Sequence, residues 1–242
     1  MADNIKTVIL CGGKGTRMGP DDLPKPLFKI GDKPILWHIM RNYESFGFKD
    51  FILLLGYKKE KIREYFKDCK GWNIEFVDTG LNTNTGGRIK KIQGLIKEEC
   101  FFATYGDGLS DINLNRLLKF HRQHKKAATL TSVRPSSQFG LLGIDSHTGM
   151  VTHFQEKPVS DHWVNGGFFV FNREVFDYMR HEDVLEKDTF SRLVREKKLT
   201  AYKHNGFWEC MDTYKDNLRL NQLWSSGNAP WTVWRKQKAK IK

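Results

Sequence analysis

The chain has 242 residues, 39% of them hydrophobic, and a formal net charge of +12. That length can bury a good core as one domain, and no apolar run approaches the roughly 18–20 residues that span a bilayer, so no membrane partner is expected. Cys11, Cys69, Cys100 and Cys210 are scattered without a C-x-x-C pair, which argues against a disulfide framework or a zinc ribbon and suits reduced, mostly buried thiols.

Taken in chain order, Met1-Ala2-Asp3-Asn4 shows no charged-then-apolar signal pattern, so a cytoplasmic location is expected. The apolar run Thr7–Cys11 reads as a buried strand. It breaks into Gly12-Gly13-Lys14-Gly15-Thr16-Arg17, with Lys25 following between Pro24 and Pro26. Glycines let backbone N–H groups come close to a ligand because no Cβ intervenes, and Arg17 and Lys25 add positive charge beside them. Polyphosphate is the ligand this pattern suits, against the plainer alternative of a turn with surface charges. It is not a Walker loop, because Lys14 lies between glycines and Pro20 stops the helix that should follow. Nor is it the dinucleotide fingerprint, whose last glycine is replaced by Met18.

Apolar runs at 51–55, 74–77, 101–105 and 128–133 predict further strands. Ile89, Ile92, Leu95 and Ile96, and then Leu114, Leu117, Leu118 and His121, recur at helical spacing. Strands alternating with helices predict an α/β fold with a doubly wound, mixed but mainly parallel sheet, its ligand at the carboxyl ends of the strands. The glycine loop follows the first strand and Asp107 the fourth, which puts both at that rim. His121 and His124, at i and i+3, could hold a metal but fit a surface face of their helix better. Beyond Arg134 the pattern changes. Segments 139–145 and 150–155 flank the turn Ser146-His147-Thr148-Gly149 and read as a hairpin; 165–171 reads as a strand, and 186–197 and 213–226 as helices. No linker divides the chain. A single domain over 1–234 is expected, with a nucleotide-binding part over about 1–133 and a smaller β-rich, acceptor-binding part over 134–234. The closing 235–242 carries five cations and no acid and reads as a solvated, frayed tail. With no basic stripe interleaved with aromatics in the body, no nucleic-acid partner is expected.

The segment Gly12–Arg17 with Pro24-Lys25-Pro26 resembles the G-G-x-G-T-R…P-K-P signature of the sugar-nucleotide pyrophosphorylases, which join a nucleoside triphosphate to a sugar 1-phosphate. The resemblance continues in order through Gly31–Met40, Asp78-Thr79-Gly80 with Thr85-Gly86-Gly87-Arg88, and Thr104-Tyr105-Gly106-Asp107-Gly108. It extends through Phe154-Gln155-Glu156-Lys157-Pro158, Asn165–Val170, Gly206-Phe207-Trp208 with Met211-Asp212-Thr213, and Ala229-Pro230-Trp231. These blocks are similar to the glucose-1-phosphate cytidylyltransferase branch.

The resemblance implies a Rossmann-like nucleotidyltransferase that joins CTP to a phosphorylated acceptor. It implies Gly12, Gly13, Gly15, Thr16, Arg17, Lys25, Thr85, Gly86, Arg88 and Asp107 on the nucleotide side, with Arg17, Lys25 and Lys157 as the catalytic charges. It implies Gly140, Glu156, Lys157 and Asn165 on the acceptor side, and Asp107 with Asp212 as ligands of Mg²⁺. A homo-oligomer is also expected. Read as residues alone, Asp107 could cap a turn, Asp212 could cap the helix from Thr213, and Lys157 could be merely solvated. Three departures leave the acceptor open. The 68–72 segment is shorter than the branch's, as is the loop between Arg17 and Lys25, and 185–190 lacks its Glu-Pro-Leu. Glucose 1-phosphate is the first expectation; another sugar phosphate or a phosphorylated amino-acid amide, in surface-polysaccharide modification, is the second. A catalytically silent binding subunit is a third reading, against which the retention of the charged residues argues.

Overall fold

Strand β1 (Thr7–Cys11) occupies the middle of an eight-stranded mixed sheet. A computed structural model describes residues 5–15, 23–137 and 139–235 of the chain. Parallel to β1 lie β4 (Asp50–Leu55) on one side and β6 (Cys100–Tyr105) on the other, and β5 (Asn73–Asp78) runs parallel to β4. Between β1 and β4 the chain makes the small ribbon β2 (Lys29–Ile30) and β3 (Lys33–Pro34), then α1 (Ile35–Ser45). Helix α2 (Lys59–Phe66) connects β4 to β5, and α3 (Thr85–Lys91) lies between β5 and β6.

Side chains alternate across a strand, and here the alternation divides the core in two. Ile9, Cys11, Phe51, Leu53, Leu55 and Phe102 point to one face, where α1 supplies Ile35, Leu36, Ile39, Met40 and Tyr43. Val8, Ile52, Leu54, Phe101 and Ala103 point to the other, against Ile89, Ile92 and Ile96. Both faces of the sheet are covered, as a doubly wound parallel sheet requires.

The later chain joins the same sheet. After the short strand β7 (Gly108–Ser110) come α4 (Leu114–His124) and β8 (Ala128–Val133). The hairpin β9 (Leu141–Ile144) and β10 (Val151–Gln155) follows, paired only with itself as a separate two-stranded sheet. Next are β11 (Val164–Asn165) and β12 (Phe169–Asn172), a π-helical turn (Leu185–Thr189), α5 (Phe190–Arg195), β13 (Leu199–Lys203), β14 (Trp208–Cys210) and α6 (Tyr214–Ser225). Strand β12 inserts antiparallel between β6 and β8, while β13 runs parallel to β8.

Five expectations need correction. The strand expected over 165–171 is broken into β11 and β12. Asn165 pairs with Ser132 but Val170 with Thr129, five positions against three. The extra residues bulge at Gly167 and Phe168, both at positive φ (73° and 48°). The helix expected over 186–197 starts as a π-helical turn, and α3 ends at Lys91 before a 3₁₀ turn (Gln93–Leu95). His121 is not on a surface face: it is buried, with Nδ1 on Thr129 Oγ1 and Nε2 on Asn172 Oδ1, both at 2.8 Å. Arg235, counted in the tail, closes a helical turn and lies 4.3 Å from the centre of the Trp224 ring. Residues 236–242 lie outside the described residues, in which no helix is long and apolar enough to cross a membrane.

Candidate active site

At the carboxyl ends of β1, β4, β5 and β6 the backbone turns outward around a cavity of about 430 Å³. Strand β6 ends at Tyr105, and the Gly106 N–H donates to Leu10 O at 3.1 Å, which seats the following turn beside β1. A Cβ on Gly106 would fall 2.9 Å from that same oxygen, so only glycine allows so close an approach. Asp107 occupies the turn between β6 and β7.

Sequence spacing cannot bring Asp107 and Asp212 together; the β7–β14 ribbon does. Cys210 sits opposite Gly108, and Met211 N–H donates to Asp107 O at 2.9 Å. Lys25 Nζ then lies 2.7 Å from Asp107 Oδ2 and 2.5 Å from Asp212 Oδ1. The lysine stands at the start of a 3₁₀ turn (Lys25–Leu27) that Pro24 and Pro26 pre-shape. Burial by itself would lower its pKa, but Asp107 and then Asp212 outweigh burial and raise it, so the ammonium stays charged. The capping alternative for Asp212 fails. Helix α6 is capped by Thr213, whose hydroxyl accepts from Asp216 N–H while the Asp216 carboxylate reaches back to Thr213 N–H.

The donor atoms of Asp107, Cys210 and Asp212 lie within 4.8 Å of one another. Two carboxylates already holding the cationic end of Lys25 between them form a cation site, and hard oxygen ligands suit magnesium. Burial, then Asp107, push the Cys210 thiol pKa up. The two carboxylates are the hard oxygen donors of this cluster.

Every described residue expected on the nucleotide side lines the cavity except Gly86; Thr16 and Arg17 lie outside the described residues. The glycines divide by purpose. At Gly13 no atom of the described residues beyond its chain neighbours lies within 4 Å of the point a Cβ would occupy, which leaves room beside its backbone for a ligand. At Gly12 a Cβ would fall 2.2 Å from Arg88 Nη1. Arg88 is buried, 4% exposed, and donates to five oxygens: Leu55 O, Thr79 Oγ1 and Gly80 O from Nη1, and Gly12 O and Leu81 O from Nη2. It ties the glycine loop to the ends of β4 and β5. Gly86 and Gly87 likewise serve packing: a Cβ would meet Asp183 Cβ at 2.8 Å and His181 O at 2.0 Å. The chain itself fills the space beside these two glycines.

The acceptor-side residues are not gathered into this cavity. Glu156 and Lys157 follow β10, both exposed, and pair with each other at 3.4 Å. Gly140 adjoins them, since a Cβ there would fall 3.0 Å from Glu156 Oε2. None of the three lines the cavity. Asn165 comes nearest, donating from Nδ2 to Tyr105 OH at 3.3 Å. Sequence reasoning passed over Tyr105 and Glu186, which bond to each other beside the cavity. Tyr105 carried one signal, as the last residue of the fourth strand at the ligand-binding rim. Glu186 carried none.

The nucleotidyl transferase family model matches residues 6–224. The chain is 44% identical to a protein of Bacillus subtilis (strain 168) named probable glucose-1-phosphate cytidylyltransferase, over 95% of this chain and all of that one. It is 41% identical to the glucose-1-phosphate cytidylyltransferase of Salmonella typhimurium, again over 95% of this chain and all of the relative. Among solved structures, HddC from Yersinia pseudotuberculosis superposes with a TM-score of 0.72 at 23% identity, covering 91% of this chain and 99% of that one, which shows the shared fold.

Proposed function

The chain belongs to the nucleotidyl transferase family, and from that premise we propose that it transfers the cytidylyl group of CTP to glucose 1-phosphate, giving CDP-glucose and pyrophosphate. The observation that carries the transfer chemistry is Lys25 held between Asp107 and Asp212 at a cavity bordered by the open backbone of Gly13. The names of the relatives at 41–44% identity support the choice of CTP and glucose.

The acceptor's phosphate oxygen attacks the α-phosphorus of CTP in line. A new P–O bond forms, the bond to the β-phosphate bridge breaks, and pyrophosphate leaves with the electron pair. That oxygen is already ionised at neutral pH, so no general base is needed. What remains is orientation and charge neutralisation. Gly12, Gly13, Gly15 and Thr16 are proposed to border the triphosphate, Arg17 to face the leaving pyrophosphate, and Lys25 to neutralise the α-phosphate. Thr85 and Gly86 lie on the nucleotide side, and Arg88 serves it by fixing the Gly12 carbonyl. Asp107 and Asp212 would hold Mg²⁺, which would supply Lewis-acid stabilisation of the charge that develops on the phosphates. Lys157 is proposed to hold the acceptor's phosphate, with Glu156, Asn165 and Gly140 around the sugar. On this reading the chain works as one domain, with Asp212 of the later part completing the nucleotide site. The exposed Leu141, Leu142, Ile144, Val151 and Phe154 of the hairpin offer apolar surface that supports a homo-oligomer, which sedimentation would read.

The test is pyrophosphate release in a matrix of CTP, UTP, dTTP and GTP against several phosphorylated acceptors with Mg²⁺. CTP with glucose 1-phosphate should be the most productive pair. Equal use of UTP or dTTP overturns the cytidylyl assignment, and CTP turnover only with a different acceptor overturns glucose. Tight CTP binding without turnover on any acceptor would make the protein a silent subunit.

A further inference from the structure

Beside two residues that line the cavity, Thr85 and Tyr105, the exposed Glu186 carboxylate in the first turn of the π-helical segment collects hydrogen bonds from two sides. Thr85 Oγ1 donates to Oε2 at 3.0 Å, and the Tyr105 hydroxyl donates to Oε1. Neither hydroxyl can easily reverse. Thr85 Oγ1 already accepts from Leu185 N–H at 2.9 Å, and Tyr105 OH accepts from Asn165 Nδ2 at 3.3 Å. The Asn165 amide is itself oriented, because its Oδ1 accepts Gly167 N–H at 3.0 Å. The direction of every proton in this chain is therefore set, and all of them end on Glu186.

We propose that Glu186 is a specificity residue for the acceptor: it admits a phosphate ester whose body is neutral and hydroxyl-rich and rejects one that carries a carboxylate. With both neighbouring hydroxyl protons committed to it, the wall formed by Glu186, Tyr105 and Thr85 offers an incoming molecule lone pairs and a negative charge. Sugar hydroxyls donate to such a wall. A carboxylate meets a like charge there, and repulsion of this kind gives discrimination that added contacts cannot. The inference rests on the cytidylyltransferase reading above and adds to it the class of acceptor.

Two acceptors separate the cases with little change in shape: glucose 1-phosphate and glucuronic acid 1-phosphate, which differ in one hydroxymethyl against one carboxylate. Their kcat/KM values with CTP and Mg²⁺ are compared for the natural protein, Glu186→Gln and Tyr105→Phe. The natural protein should favour the neutral sugar by about a hundredfold or more, the scale on which a charged or hydrogen-bonding mismatch separates substrates. Glu186→Gln should shrink that ratio at least about tenfold. Tyr105→Phe, which keeps the charge but frees Asn165, should raise KM for both acceptors and leave the ratio unchanged. A merely structural Glu186 would weaken both acceptors alike, so an unchanged ratio in Glu186→Gln overturns the proposal, as does equal use of both acceptors by the natural protein. Turnover of neither acceptor overturns the glucose reading itself and takes this inference with it.

Discussion

Around the cavity the polar side chains are tied to distant parts of the chain: Lys25 to Asp107 and Asp212, Arg88 to both Gly12 and Leu55. The β9–β10 hairpin is built the other way. It pairs with no other strand, exposes Leu141, Leu142, Ile144, Val151 and Phe154, and ends in Glu156 and Lys157 bonded to each other. An isolated two-stranded hairpin is marginal in water, and few buried contacts place a segment at the low end of local stability. The contrast teaches where each half of the chemistry is stored. Among the described residues, Lys25, which would meet the triphosphate, is held in place by Asp107 and Asp212, and the charges that would meet the acceptor are not so held.

The largest expected effect would break the first half of that contrast. Asp212→Asn should lower turnover roughly 10²–10³-fold, the scale of losing one charge-stabilising group, with an unchanged thermal midpoint. Asp107→Asn should behave alike. Because both would act through one ion, the double variant should lose far less than the product of the singles. A full product would contradict a shared metal.

Next in size is a stability effect. Arg88→Met removes a hydrogen bond from five oxygens, of which Leu55 O keeps Thr79 and Gly12 O keeps the Tyr57 N–H, and should cost about 2–4 kcal/mol. Urea unfolding would read it as a lower midpoint at constant m-value. A loss under about 0.5 kcal/mol, the range of ordinary surface changes, would mean that the rim is not held as described.

On the hairpin, Lys157→Ala should raise the acceptor KM about tenfold, the loss of one modest charge contact, while Arg17→Ala weakens CTP instead. The smallest effect belongs to the tail. Removing residues 236–242 spares the Arg235–Trp224 contact and should leave turnover and CTP affinity nearly unchanged.

The same contrast governs what could be read from sequence. Strands Thr7–Cys11 and Ala128–Val133 stand where their apolar runs predict, because a strand buried on both faces is written continuously in its own residues. The glycine loop and Lys25 were legible for a similar reason: the charges and the open backbone lie within a few positions of one another. The pairing of Asp107 with Asp212 was visible only through family resemblance, since the ribbon that joins them pairs residues about a hundred positions apart. Local pattern also misjudged polar residues that face inward. Arg88, read as a cation on the nucleotide side, is surrounded by five acceptors from three segments, and His121 looks like a surface histidine until Thr129 and Asn172 close over it. Glu186 is the extreme case, with partners contributed by β6 and α3, neither of which marks it in sequence.

Calorimetric titration of Mg²⁺–CTP, with no acceptor present, tests the central claim most directly. If the nucleotide half is complete in the folded chain, CTP binds without acceptor, and Lys157→Ala binds it as tightly as the natural protein does. CTP binding that appears only once acceptor is added, or that disappears in Lys157→Ala, would contradict the account.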